Sequence, residues 1–286
     1  MNLLPLVERA ARRALNASGL ASRWIETSVA QQHVYDARGG GDLPTVVVLH
    51  GISSAATPFG PFLRRLHPAV RRVLAPDAPA HGFSGAPRVP LTPKALFGAM
   101  VELLDQELDE PAILVGNSMG GGVALHYAMN RPERVRGIFL ASPAGAPMEP
   151  DAFKRFLQRF DLQSKADART FMKRLYHKTP WFAPLIAGDV HRLFDREPIR
   201  TFTASASTED LITAEQISGL KMPVHLVWGR SERLMPEENL LFFKKHLPAH
   251  ATIEEPEGFG HCPHLDAPGR LARKVLDFAR RITGAS

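Results

Sequence analysis

Ser118 lies at the centre of Gly116-Asn117-Ser118-Met119-Gly120. An apolar run at 112–116 precedes it and a helical pattern over 119–130 follows. A serine held on a sharp strand-to-helix turn projects its hydroxyl above the sheet. Glycines two before and two after it relieve the clash between strand and helix. This is a placement for a nucleophile. The N–H of Met119 then sits at a helix N-terminus, where the dipole favours negative charge. The plainer alternative is a glycine-rich helix start with an N-capping serine.

A serine hydroxyl is a poor nucleophile near neutral pH. It needs a base within hydrogen-bond reach, and that base needs an orienting acid. On such a turn the chain order is serine, acid, histidine. Of twelve histidines, His261 fits best. It lies in Gly258-Phe259-Gly260-His261-Cys262-Pro263, between a strand expected at 252–254 and a helix from Pro268. His264 is the competitor. The acid belongs at the end of the preceding strand, expected at 224–228, and Glu232 is the one acid in the loop 229–236. Glu237 and Glu238 fit the first turn of the next helix, where acids favour the dipole. The plainer reading of Glu232 is a solvated charge paired with Arg230 or Arg233. A second oxyanion donor is expected from the loop His50-Gly51-Ile52-Ser53-Ser54, through the N–H of Ile52 or of Ser53. His50 itself reads as a loop brace, and the single cysteine, Cys262, as a small packed residue. Ser53 and Asn117 flank the reacting position and are read as substrate contacts.

These loops need a sheet to carry them. Short apolar runs at 45–50, 70–75, 112–116, 135–141 and 224–228 read as buried strands, and helical patterns lie between them. The alternation implies an α/β fold with a mostly parallel sheet covered on both faces. From about 146 to 220 the pattern turns helical without buried strands, which predicts a cap inserted between two strands. Nine of the 22 aromatics fall in that quarter of the chain. Some must form the cap's own core. Others, with Phe153, Trp181 and Phe182 singled out, are expected to line a pocket over the C-terminal edge of the sheet, where ligands bind in open α/β sheets. The expected organisation is an N-terminal helical segment (1–30), a core (31–145 and 221–286) and a helical cap or lid (146–220).

Hydrophobic residues are 44% and charged residues 22% of 286, which excludes a disordered chain, a coiled coil or a fibre. One cysteine excludes a disulfide scaffold and a multi-cysteine zinc site. The net charge is +6 without any Lys/Arg-rich run, so no nucleic-acid partner is expected. Neither a secretory segment nor a membrane span is apparent, and the expected location is cytoplasmic. Residues 3–15 place Leu3, Leu6, Val7, Ala10, Ala14 and Leu15 at helical spacing among Arg9, Arg12 and Arg13. Two readings stay open: a basic amphipathic helix on a lipid surface, or a helix docked on the protein body.

The chain resembles the α/β-hydrolase superfamily, in its capped serine esterase and monoacylglycerol-lipase-like branch, over about 31–142 and 221–282. His50-Gly51 follows the first long strand. Asp77-Ala78-Pro79-Ala80-His81-Gly82-Phe83-Ser84 is similar to the family's D-x-P-G-H-G-x-S loop, with Ala80 in place of glycine. Gly116 to Gly120 matches the nucleophile elbow. Trp228-Gly229-Arg230-Ser231-Glu232 resembles the W-G-x-x-D acid loop, with Glu for Asp, and Gly260-His261-Cys262-Pro263 the G-H-x-P loop. Serine at the elbow departs from the superfamily's dehalogenases and epoxide hydrolases, which carry Asp there. The loop 50–55 lacks the Gly-Pro-Gly of the C–C bond hydrolases, although the elbow followed by Gly121 looks like theirs.

The resemblance implies a hydrolase of carboxylic esters with Ser118, His261 and Glu232 as triad and no cofactor or metal. Its partner would be a small-molecule ester with a short to medium acyl or aromatic acid. C–C bond hydrolysis, amide hydrolysis and perhydrolysis on the same site are the alternatives, followed by a non-catalytic ligand-binding protein.

Overall fold

The computed structural model describes residues 3–285. Residues 1–2 and 286, which belong to the expected N-terminal segment and core, lie outside the described residues. The chain opens with α1 (Leu4–Ala17), β1 (Ala21–Glu26), β2 (Gln31–Arg38), β3 (Val46–Leu49), α2 (Gly60–Leu66) and β4 (Arg72–Pro76). It continues through α3 (Pro93–Glu107), β5 (Ala112–Asn117), α4 (Met119–Asn130) and β6 (Val135–Ala141). Helices α5 (Pro150–Leu157), α6 (Lys165–Leu175), α7 (Ala183–Phe194), α8 (Glu197–Ser205) and α9 (Ala214–Ser218) follow without a strand among them. The sheet resumes with β7 (Val224–Val227), α10 (Glu237–His246), β8 (Thr252–Glu254), α11 (Pro263–Asp266) and α12 (Pro268–Thr283).

The eight strands are ordered β1-β2-β4-β3-β5-β6-β7-β8. From β4 to β8 the neighbours are parallel; β1 and β2 are antiparallel to each other, and β2 to β4. Side chains on a strand alternate between faces. In β3, Val47 and Leu49 join a core shared with α3, α4 and the α5–α9 helices, while Val46 and Val48 join one with α2 and α12. A strand covered on both faces reads as a continuous apolar run, and Val46–Leu49 is fully buried. Helix α12 buries Leu271, Ala272, Val275, Phe278 and Ala279 at helical spacing and stops at Gly284, whose φ of +68° suits a left-handed cap.

The expectation of a helical segment over 1–30 is corrected. Only α1 is helical, and β1 adds an edge strand paired with β2. Strand β2 carries Gln32 and His33, polar residues that the sheet nevertheless buries. Gln32 Nε2 donates to Thr27 Oγ1 and to the Ala99 carbonyl, and His33 Nδ1 meets Asp77 Oδ2 at 2.9 Å. These bonds offset the burial of the Gln32 amide nitrogen and of His33, while Gln32 Oε1 has no partner among the described residues. No helix among the described residues is long and apolar enough to cross a membrane.

Candidate active site

Ser118 joins β5 to α4 with φ 56° and ψ −121°, a strained conformation for a residue with a side chain. Its neighbours leave no room for alternatives. A Cβ on Gly116 would lie 2.4 Å from the Gly120 carbonyl oxygen, and one on Gly120 would lie 2.2 Å from that of Leu49. The Ser118 carbonyl accepts N–H bonds from Gly121, Gly122 and Ala144, and its own N–H donates to Ala141. The turn is therefore held from both sides.

Glu232 leaves the end of β7 in a tight turn, its N–H donating to the Gly229 carbonyl. Its Oε1 accepts the backbone N–H of Leu234 at 2.7 Å and of Met235 at 3.0 Å. Its Oε2 lies 2.8 Å from His261 Nδ1. Burial pushes this carboxyl's pKa up, but the His261 imidazole, the Ser142 hydroxyl and the Met235 N–H outweigh that, and the net shift is downward. Facing an ionised carboxylate, Nδ1 is the protonated nitrogen and Nε2 of a neutral ring is left to accept.

His264 and His50 take other roles. His264 stacks on Phe59 with ring centroids 3.6 Å apart, and burial with the nearby His261 and His50 drops its pKa to about 3. No carboxylate orients it. His50 braces its loop: Nδ1 bonds the Gly51 carbonyl, and Nε2 accepts the Ala78 N–H. Asp77 ties the two early loops together, accepting N–H bonds from Ala56 and Phe83. Ala80, where the resembled loop has glycine, takes φ +64°. Cys262 is buried, and burial pushes its thiol pKa well up, so it stays a neutral packed group.

The N–H groups of Ile52 and Met119 have no acceptor among the described residues. Both residues line, with Ser118, a cavity of about 1080 Å³. Its far walls come from α5 and its surroundings, including Met148, Phe153, Phe156 and Phe160. This is just above the about 300–1,000 Å³ usual for ligand pockets. Among the described residues no group of three or more His, Cys, Asp or Glu could hold a metal ion.

Four expected substrate contacts lie elsewhere. Trp181 is 85% exposed and Phe182 41%, and neither lines the cavity. They precede the first turn of α7, which turns its other side inward. Ser53, at φ 53°, lines a separate cavity of about 490 Å³, with its Oγ buried and unpartnered. Asn117 points away from the cavity. Its Nδ2 donates to the Ala141 carbonyl at 2.9 Å and to the His261 carbonyl at 2.8 Å. Conversely, Phe156, Leu157 and Phe160 line the cavity without having been singled out. With Phe153 they recur at helical spacing, and that periodicity was the available signal.

The chain belongs to the alpha/beta hydrolase family, whose model matches residues 46–274. It is thus a hydrolase by class. It is 27% identical over 265 residues to 2-hydroxy-6-oxo-6-phenylhexa-2,4-dienoate hydrolase of Comamonas testosteroni, covering 86% of this chain and 91% of that one. It is 26% identical over 278 residues to monoacylglycerol lipase ABHD6 of Rattus norvegicus, covering 88% and 80%. Carboxylesterase CesB (YbfK) from Bacillus subtilis superposes with a TM-score of 0.76 at 20% identity, over 96% of this chain and 97% of that one. At that identity the likeness speaks to the fold.

Proposed function

We propose that this protein is a serine hydrolase of carboxylic esters, acting on short to medium acyl or aromatic acids through Ser118, His261 and Glu232. The observation that carries the reading is the fixing of Glu232. One carboxylate oxygen is held by two backbone N–H groups while the other meets His261 Nδ1. That arrangement orients an imidazole as a base and stabilises its charged form.

In this reading Ser118 Oγ attacks the ester carbonyl carbon, and its proton moves to His261 Nε2. The N–H groups of Met119 and Ile52 hold the oxyanion. Losing one such donor typically costs about 100- to 1000-fold in turnover. Collapse expels the alkoxide, which takes the proton from Nε2. Water, deprotonated by the same nitrogen, then attacks the acyl-enzyme and frees Ser118. The helices α5–α9 act as the cap over the acyl group, and the apolar lining from Phe153 and Phe156 suits a hydrocarbon chain. The route calls for no metal or organic cofactor.

Hydrolysis of p-nitrophenyl esters from acetate to palmitate, by the wild type and Ser118→Ala, tests this. A rate peaking at one chain length and lost in the variant supports the ester reading. No serine-dependent turnover at any length removes it. A second reading, C–C bond hydrolysis of the meta-cleavage type, is supported by the relative from Comamonas testosteroni and by the Gly-Asn-Ser-Met-Gly-Gly elbow. Serine-dependent decay of 2-hydroxy-6-oxo-6-phenylhexa-2,4-dienoate, without ester turnover, would select it. An amide substrate, and an ester with hydrogen peroxide in place of water, complete the panel.

A further inference from the structure

Helix α1 is docked with a mixed face inward. Leu4, Glu8 and Arg12 line the smaller cavity, and the Arg12 guanidinium sits over the Phe83 ring at 4.3 Å. Leu15 anchors the far end against Gly60, and Asp189 of α7 accepts the N–H groups of Leu3 and Leu4 at 3.0 and 3.2 Å. Leu6 lies nine residues before Leu15, two and a half turns away, and so points outward. Leu6 is 56% exposed and Val7 58%, with Ala10 and Ala14 exposed on the same side. Water-facing helix sides are ordinarily polar.

Further exposed apolar side chains lie on the segment that Asp189 ties to α1. Leu185, one turn before Asp189, is 60% exposed, and Trp181 and Phe182 stand just ahead of it in the chain. Five of the nine exposed large hydrophobic side chains of the described residues thus belong to the two segments that this contact joins. Arg9, Arg13 and Lys178 are exposed around them. No acid lies in 177–185, and the one acid of α1, Glu8, faces inward.

We propose that α1 and the residues leading into α7 form a docking face for an anionic lipid surface. Apolar side chains would enter the headgroup boundary while the cations meet lipid phosphates. Trp181 suits that depth, because its ring is apolar and its N–H polar. A second copy of the chain fits poorly. A two-fold contact is self-complementary and would set these cations against themselves.

The test is co-sedimentation with vesicles of phosphatidylcholine containing phosphatidylglycerol, against phosphatidylcholine alone. The wild type binds the anionic vesicles, more weakly in high salt, and tryptophan emission shifts blue. Trp181→Phe removes that shift. Leu6→Glu/Val7→Glu loses binding by about tenfold or more while its Tm and its turnover of a soluble ester stay unchanged. The proposal is overturned if the wild type ignores anionic vesicles or if the double variant binds them equally well. It is also overturned if sedimentation shows a dimer that the double variant dissolves while the wild type does not bind lipid. None of these outcomes depends on which bond the enzyme cleaves.

Discussion

The side-chain amide of Asn117 donates to the carbonyl oxygen of His261 at 2.8 Å. One bond therefore joins the residue beside Ser118 to the backbone of His261. The same Nδ2 holds the Ala141 carbonyl, so the ends of β5 and β6 and the histidine loop share one donor.

Asn117→Ala strips the His261 carbonyl of its side-chain donor and leaves the Ala141 carbonyl with the Ser118 N–H, at about 1–3 kcal/mol of stability. Asn117 does not line the cavity. The expected kinetic signature is a kcat lowered about 10- to 100-fold by misplacement of His261, with KM nearly unchanged. Steady-state kinetics on the best ester checks it. A raised KM at full kcat would return Asn117 to substrate binding.

Glu232→Gln keeps the shape and the N–H acceptor but loses the charge beside His261. Turnover should fall on the order of 10³–10⁴-fold. Stability carries a pH signature. The folded pKa of Glu232 is depressed below its ordinary 4.5. Its ionised form therefore stabilises the fold fully above about pH 4.5, and this is lost as pH falls through the lower folded value. The stability gap between wild type and Glu232→Gln should be widest near neutrality and close in acid. Denaturant titrations at several pH values measure it. A gap that grows on acidification would contradict the assignment.

Two glycines should respond oppositely to alanine. In Gly116→Ala the new Cβ meets backbone atoms at 2.4 and 2.6 Å, which no side-chain movement can relieve. A loss of about 3 kcal/mol or more is expected, lowering Tm by roughly 6–12 °C. Gly98, inside α3, has nothing within 4 Å of its Cβ position. Gly98→Ala should gain about 0.5–1 kcal/mol from helix propensity. Thermal melts of both variants decide it.

The acyl-chain profile should separate two aromatics of the α5–α9 helices. Phe153→Ala enlarges the cavity wall and should move the preferred p-nitrophenyl ester to a longer chain. Trp181→Ala, outside the cavity, should leave the profile on soluble esters unchanged. An altered profile for Trp181→Ala would bring Trp181 against the substrate and overturn its place outside the cavity.

Several of these features were legible in the residue order. The glycines flanking Ser118 announce the elbow: Gly116 is required by Gly120 and Gly121 a few residues on, and Gly120 by the Leu49 carbonyl of the neighbouring strand β3. Buried strands such as Val46–Leu49, and the Ile138–Ala141 part of β6, announce themselves through unbroken apolar runs. Strand β2 does not, because Gln32 and His33 are polar residues whose partners, Ala99 and Asp77, come from distant segments.

The sequence by itself determined the α/β alternation, the helical stretch between β6 and β7, and the glycine-flanked turn at Ser118. Each follows from short-range periodicity or a local turn. Tertiary structure alone decided which way side chains on docked helices point. It turned Trp181 and Phe182 to the surface, sent Asn117 to the histidine loop and laid α1 down with Glu8 and Arg12 inward. A helix carries its amphipathic pattern in its own residues. The side it buries depends on the surface it meets, here Asp189 and the Phe83 loop, which lie far away in the chain.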